Sequence, residues 1–219
     1  MFSDNALILF QGDSITDGGR SRDEAPNHTL GHGYTYLLAA RLGAEYPAKN
    51  WQFRNRGISG NRTPDLYARW REDTVKLRPA VLSILIGVND IWAEYARGTG
   101  VSAEKYARVY RLLLEETRAE LPETQLILME PFALPVDKIL LAPEYWAREL
   151  PLRQQIVAEL AAEFAAIFVP LQCEFDAAAK NVADPGYYIC DGIHPTAAGH
   201  ELIARAWMRA LSGKFSQIS

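Results

Sequence analysis

The sequence predicts an α/β fold, a doubly wound, flavodoxin-like parallel sheet of about five strands with helices on both faces. Three observations carry that prediction. Short apolar runs recur along the 219 residues, at 6–10, 51–55, 80–86, 125–129 and 166–171. Stretches with helical spacing lie between them. The run Val81-Leu82-Ser83-Ile84-Leu85-Ile86 is nearly unbroken in apolar residues, as in a strand covered on both faces.

Taken in order, the first strand, 6–10, leads into Gly12-Asp13-Ser14-Ile15-Thr16, where glycine permits a sharp turn and a helix can begin. Residues 34–42 read as a helix stopping near Gly43. The second strand, 51–55, leads into Asn55-Arg56-Gly57-Ile58-Ser59-Gly60-Asn61. Residues 63–77 read as a helix with Pro64 in its tolerant first turn. The third strand leads into Gly87-Val88-Asn89-Asp90. Ser102 caps a long amphipathic helix that runs to Leu121, ahead of Pro122. The fourth strand is followed by an irregular stretch, 131–151, with four prolines and exposed-looking Leu134, Ile139, Leu140, Tyr145 and Trp146. That stretch suits a rim over a site or a subunit contact. A helix over 154–164, the fifth strand and a helix over 195–211 complete the chain. Right-handed crossovers then place all strand carboxyl ends on one side. No repeat or low-complexity segment interrupts the pattern, so 1–219 reads as a single domain.

Composition bounds the function. Hydrophobic residues make up 48% and charged residues 23%, ordinary for a globular protein with a sizeable core. A net charge of −4 argues against nucleic acid or an anionic membrane as partner. Two cysteines, Cys173 and Cys190, cannot build a disulfide framework and point to a reducing compartment. No run approaches the roughly 18 apolar residues of a membrane span. No signal-type apolar region precedes the first strand, so a cytoplasmic location is expected.

The chemistry gathers at the strand ends. Serine needs a base to attack at neutral pH. His194, in Asp191-Gly192-Ile193-His194-Pro195, can supply it, and Asp191 can hold the imidazole in the productive tautomer. The Ser14 and Gly60 N–H groups and the Asn89 amide would supply three donors to an oxyanion. Trp92 follows Asn89 closely and, with Ile91, suits the wall of a small acyl pocket.

In these blocks the chain resembles the SGNH hydrolases within the GDSL esterases and lipases. GDSIT, the Gly60 loop, GVND and DGIHP appear in order between residues 12 and 195. The resemblance implies Ser14, Gly60, Asn89 and His194 as the four name residues and Asp191 as the third member of a triad. It also implies a three-layer α/β/α sandwich with a five-stranded parallel sheet. The serine lies outside a GxSxG elbow, which separates the chain from the common α/β-hydrolases. A nearer resemblance, in GDSITDGGRSR, NRGISGN, SILIGVNDIW and HPTAAGHELIARAW, is to cytoplasmic bacterial acetylxylan esterases. Those enzymes deacetylate xylo-oligosaccharides, need no cofactor or metal, and tend to form homo-oligomers. Where their nearest members carry tryptophan before the aspartate, this chain has Cys190.

Each residue also has a plainer reading. Ser14 could cap a helix and His194 could pack on the last one. Asp13, Asp17 and Asp90 suit loop fixing. His28 and His32, four apart, suggest a metal pair, but no acidic or cysteine partner stands near, so a surface loop is expected. His200 reads as structural, Trp92 could be core, and Cys190 reads as a small buried hydrophobe. Rival functions are a thioesterase or short-chain lipid esterase of the same chemistry, a flavin- or nucleotide-binding module, and a silent carbohydrate-binding protein. The flavin module gives Asp191 and His194 no role.

Overall fold

In a computed structural model describing residues 2–23 and 28–215, the strands are β1 (Leu7–Gly12), β2 (Gln52–Asn55), β3 (Val81–Leu85), β4 (Gln125–Met129) and β5 (Ile167–Val169). They form one all-parallel sheet in the order β2-β1-β3-β4-β5. The order reverses at β1, so the crevice of such a sheet opens beyond the ends of β1 and β3. Gly12 pairs with Leu85 in register, which sets the segments after those two strands side by side.

Eight helices belong with the sheet: α1 (Ser14–Asp17), α2 (Tyr34–Glu45), α3 (Thr63–Asp73), α4 (Val88–Arg97), α5 (Ala103–Glu120), α6 (Pro143–Glu163), α7 (Gln172–Ala179) and α8 (Ala197–Ala210). One more turn, Ser212–Phe215, follows. Side chains alternate across each strand. Ile8, Phe10, Val81, Ile127 and Met129 enter a core shared with Leu38, Phe175 and Trp207. Leu9, Leu82, Ile84, Leu126 and Leu128 enter a second core with Trp70, Leu113, Leu114 and Val157. This is the expected three-layer α/β/α sandwich.

Three expectations change. The helix expected over 154–164 begins at Pro143 and carries Pro151 within it. An internal proline costs about 3 kcal/mol. Burial of Trp146, Leu150, Val157 and Leu160 along the same helix offsets it, at about 1.5–3 kcal/mol per large apolar side chain. Second, Leu134, Ile139 and Trp146 are buried, while Leu140 alone of that group stands well exposed and Tyr145 is half-buried. The segment before α6 folds down on the Asp191–His194 loop, with the Leu134 N–H donating to Gly192 O at 3.0 Å. Third, Val88-Asn89-Asp90 is the first turn of α4, so Ile91 turns inward and is fully buried instead of facing a pocket.

Candidate active site

Gly12 ends β1 where a Cβ would stand 2.3 Å from both Leu85 O and Thr16 Oγ1. The glycine is required by this crowding at the strand end. Asp13 then caps α1, its Oδ1 accepting from the Ile15 N–H at 3.0 Å. Ser14 is thereby set at the helix start, half-buried above the sheet. Burial pushes the Asp13 carboxyl up to about 7, against its hydrogen bond from Ile15 and the nearby His194 charge, which lower it.

Ser14 Oγ lies 2.8 Å from His194 Nε2. His194 Nδ1 lies 2.7 Å from Asp191 Oδ2. The other aspartate oxygen, Oδ1, accepts the backbone N–H of His194 at 2.8 Å and of Ile193 at 3.2 Å. Burial opposes ionisation of Asp191. The hydrogen bonds from His194 and Lys138 outweigh it and hold the carboxyl well below the ordinary carboxylate range. An anchored carboxylate behind an imidazole, and a hydroxyl in front of it, can pass the serine proton to Nε2.

The segments expected to carry oxyanion donors are held by polar residues. Asn55, at the end of β2, donates through Nδ2 to Thr16 O at 2.6 Å and Leu30 O at 2.9 Å, and accepts the Gly57 N–H at 2.8 Å. The Gly60 loop is further tied to β1 and α1 by Ile58 N–H to Gly12 O, 3.1 Å, and Ser59 N–H to Asp17 Oδ2, 2.9 Å. Gly60 itself has φ +82° in open space, so here glycine is chosen for backbone conformation. Asn89 Nδ2 donates to Asn61 O at 3.2 Å, joining α4 to the same loop. The N–H groups of Ser14 and Gly60 have no hydrogen-bond acceptor among the described residues. Asp90 is fully buried and accepts the N–H and Oγ1 of Thr63, which fits its loop-fixing reading.

A cavity of about 370 Å³ opens beside Ser14 and His194, lined also by Gly18, His32, Cys190 and His200. A larger one, about 540 Å³, lies at the amino ends of the strands near Arg78 and Thr124, away from any nucleophile–base pair. Cys190 is exposed on the smaller cavity and not a buried hydrophobe, because its neighbour Ile189 takes the inward place. His32 is an exposed residue of the rim, and His200 is buried within α8. No group of three or more His, Cys, Asp or Glu suited to a metal occurs among the described residues. Trp92 is half-buried and does not line this cavity. One helical turn beyond Asn89, its ring centroid lies 5.6 Å from Lys138 Nζ and 5.7 Å from the Tyr95 ring. Sequence reasoning missed three residues that shape the site: Asn55, Lys138, and Arg69, whose Nε donates to Asn61 Oδ1 at 2.8 Å.

The GDSL-like lipase/acylhydrolase family model matches residues 10–202. The chain belongs to that family. This acylhydrolase is 35% identical, over 93% of both chains, to an acetylxylan esterase of Geobacillus stearothermophilus. A crystal structure of an acetylxylan esterase from that organism superposes with a TM-score of 0.84, 34% identity, and 96% and 95% of the two chains covered. A GDSL-like protein of Parabacteroides merdae superposes with a TM-score of 0.92, 39% identity, and 97% and 98% coverage. The acylhydrolase is a carboxylic ester hydrolase. No helix among its described residues is long and apolar enough to cross a membrane.

Proposed function

We propose that the enzyme removes acetyl and other small acyl groups from carbohydrate hydroxyls, xylo-oligosaccharides or related sugars, through an acyl-enzyme on Ser14. The observation that carries this reading is the relay of Ser14 Oγ, His194 and Asp191, with contacts of 2.8 and 2.7 Å. Similarity to an acetylxylan esterase over 93% of the chain supports the sugar ester as substrate class. Ser14 Oγ attacks the ester carbonyl as His194 Nε2 takes its proton. The tetrahedral oxyanion receives hydrogen bonds from the N–H groups of Ser14 and Gly60 and from the Asn89 amide. His194 returns the proton to the sugar oxygen as the C–O bond breaks. Water, deprotonated by His194, then hydrolyses the acyl-serine and releases acetate. A homo-oligomer and a cytoplasmic location belong to the same reading, and light scattering of the pure protein tests the first.

The test is a substrate panel of acetylated xylo-oligosaccharide, acyl-CoA and lysophospholipid, run on wild type and Ser14→Ala. Wild type should release acetate from the sugar ester fastest, and Ser14→Ala should be inactive with its stability nearly unchanged. A serine-directed fluorophosphonate should mark the Ser14 peptide. Faster turnover of acyl-CoA or lysophospholipid replaces the substrate class by the thioesterase or lipid-esterase alternative. Near-full activity in Ser14→Ala removes the mechanism.

A further inference from the structure

Lys138 lies in a 3-10 turn, Asp137–Ile139, between β4 and α6. Its Nζ donates to Asp191 Oδ2, the same oxygen that faces His194 Nδ1. The ammonium also lies 5.6 Å from the Trp92 ring centroid. A carboxylate on one side and an indole face on the other hold it in place. The lysine and aspartate side chains are only 26% and 20% exposed.

The backbone keeps the lysine there. Besides the Leu134–Gly192 hydrogen bond, Gly192 has φ +89°, and a Cβ on it would stand 2.5 Å from Val136 O and 2.6 Å from Ile139 Cγ1. Only glycine allows the two segments to close so tightly. The 131–142 segment is thus clamped to the loop that carries Asp191 and His194.

We infer that Lys138 is a positioning residue that sets the basicity of His194 by sharing Asp191 Oδ2 with the imidazole and offsetting part of the carboxylate charge. The inference rests on the reading of His194 as the base. Asp191 alone would favour the imidazolium. So would Asp13, buried near His194, whenever it is ionised. The other polar groups lining the cavity with His194 are the uncharged Ser14 and Ser59 hydroxyls, Asp17, whose charge Arg22 pairs, His32, Cys190 and, from α8, His200, which burial keeps neutral. Lys138 opposes the two carboxylates. With it in place the imidazolium is held less firmly, and His194 remains a neutral proton acceptor to lower pH.

Two measurements on the resting enzyme test this. The His194 ring is titrated by NMR, assigned with His194→Asn, in wild type, Lys138→Met and Lys138→Arg. The pH dependence of kcat/KM is recorded for wild type and the two Lys138 variants. Lys138→Met should raise the His194 midpoint by about one pH unit, so that kcat/KM below the midpoint falls about tenfold relative to its plateau. Lys138→Arg should return the midpoint to the wild-type value. If Lys138→Met does not fold, Lys138→Gln takes its place. An unmoved NMR midpoint overturns the inference even if kcat drops, because a lost tether alone alters geometry and leaves titration untouched. A raised NMR midpoint that the kinetic limb fails to follow upholds Lys138 and instead removes His194 as the base.

Discussion

Asn89 gives one of its two amide protons to Asn61 O, 3.2 Å away, and the other has no acceptor among the described residues. One side chain is therefore placed to brace and, as proposed, to donate, and the Gly60 loop it braces carries a second proposed donor. If the free proton meets the developing oxyanion, its worth appears in the transition state and little in ground-state binding. Asn89→Ala should lower kcat by about 10²–10³ and leave KM nearly unchanged. Steady-state kinetics on p-nitrophenyl acetate decide it. A change confined to KM would make Asn89 a substrate-binding residue. Around it, Asn55 shows why such scaffolding escapes sequence reading. An asparagine at the end of a strand carries no pattern, and only the fold reveals that its amide gathers the carbonyls of Thr16 and Leu30.

At the scale of elements, α2 begins without a side-chain cap, since Gly33 occupies its N-cap. One of its orphan donors, the Tyr34 N–H, is taken by His200 Nδ1 of α8 at 3.2 Å, and the two rings stack. Nδ1 must be unprotonated to accept. Burial, with His32 and His194 adding to it, lowers the His200 pKa to about 4. The unfolded chain binds the proton near 6.5 and the native state near 4. Stability from this residue is therefore whole above about 6.5 and is lost as pH falls towards 4, by about 3 kcal/mol at the acid end. His200→Asn, whose Oδ1 can stand where Nδ1 stood, should flatten that dependence. Burial pushes Asp13 and Asp90 up to about 7, so their contributions run the opposite way over the same window. The readout is accordingly the wild-type minus variant difference in urea stability between pH 4.5 and 7. A difference that does not vary with pH would refute the role.

The strands were legible because runs such as 81–86 are apolar on both faces, and no helix boundary competes with them. The segments holding Ser14, Gly60, Asn89 and His194 were legible for the same reason, since each follows a strand or precedes the last helix. What was not legible depended on tertiary contact. GVND looks like a loop and is the start of α4, which carried Ile91 away from the site. Four prolines mark 131–151 as irregular, yet burial of Trp146 and Leu150 draws Pro151 into α6. A lone lysine in that stretch could not be matched to Asp191, which is 53 positions away.

The sheet joins the two cores of the molecule. Leu82 and Ile84 of β3 face one core while Val81 and Leu85 face the other, and β4 divides its side chains in the same way. Loss of either helical layer would expose half the side chains of both central strands, at roughly 25 cal/mol per Å² of apolar surface. Each core contains a buried tryptophan hydrogen-bonded within it: Trp70 Nε1 to Thr117 Oγ1 at 3.1 Å and Trp207 Nε1 to Ser83 Oγ at 3.2 Å. Because neither layer can leave alone at small cost, unfolding should be one transition despite the length of the chain. Trp70→Phe and Trp207→Phe should each shift the urea midpoint down without changing the slope m. In each variant the tryptophan fluorescence and far-UV circular dichroism curves should superimpose, although Trp70→Phe leaves its core without a tryptophan while Trp207→Phe leaves Trp51 and Trp146 to report on the other. Curves that separate in Trp70→Phe but not in Trp207→Phe, or the reverse, would show that one helical layer melts before the other. The sheet would then not be the shared wall that couples them.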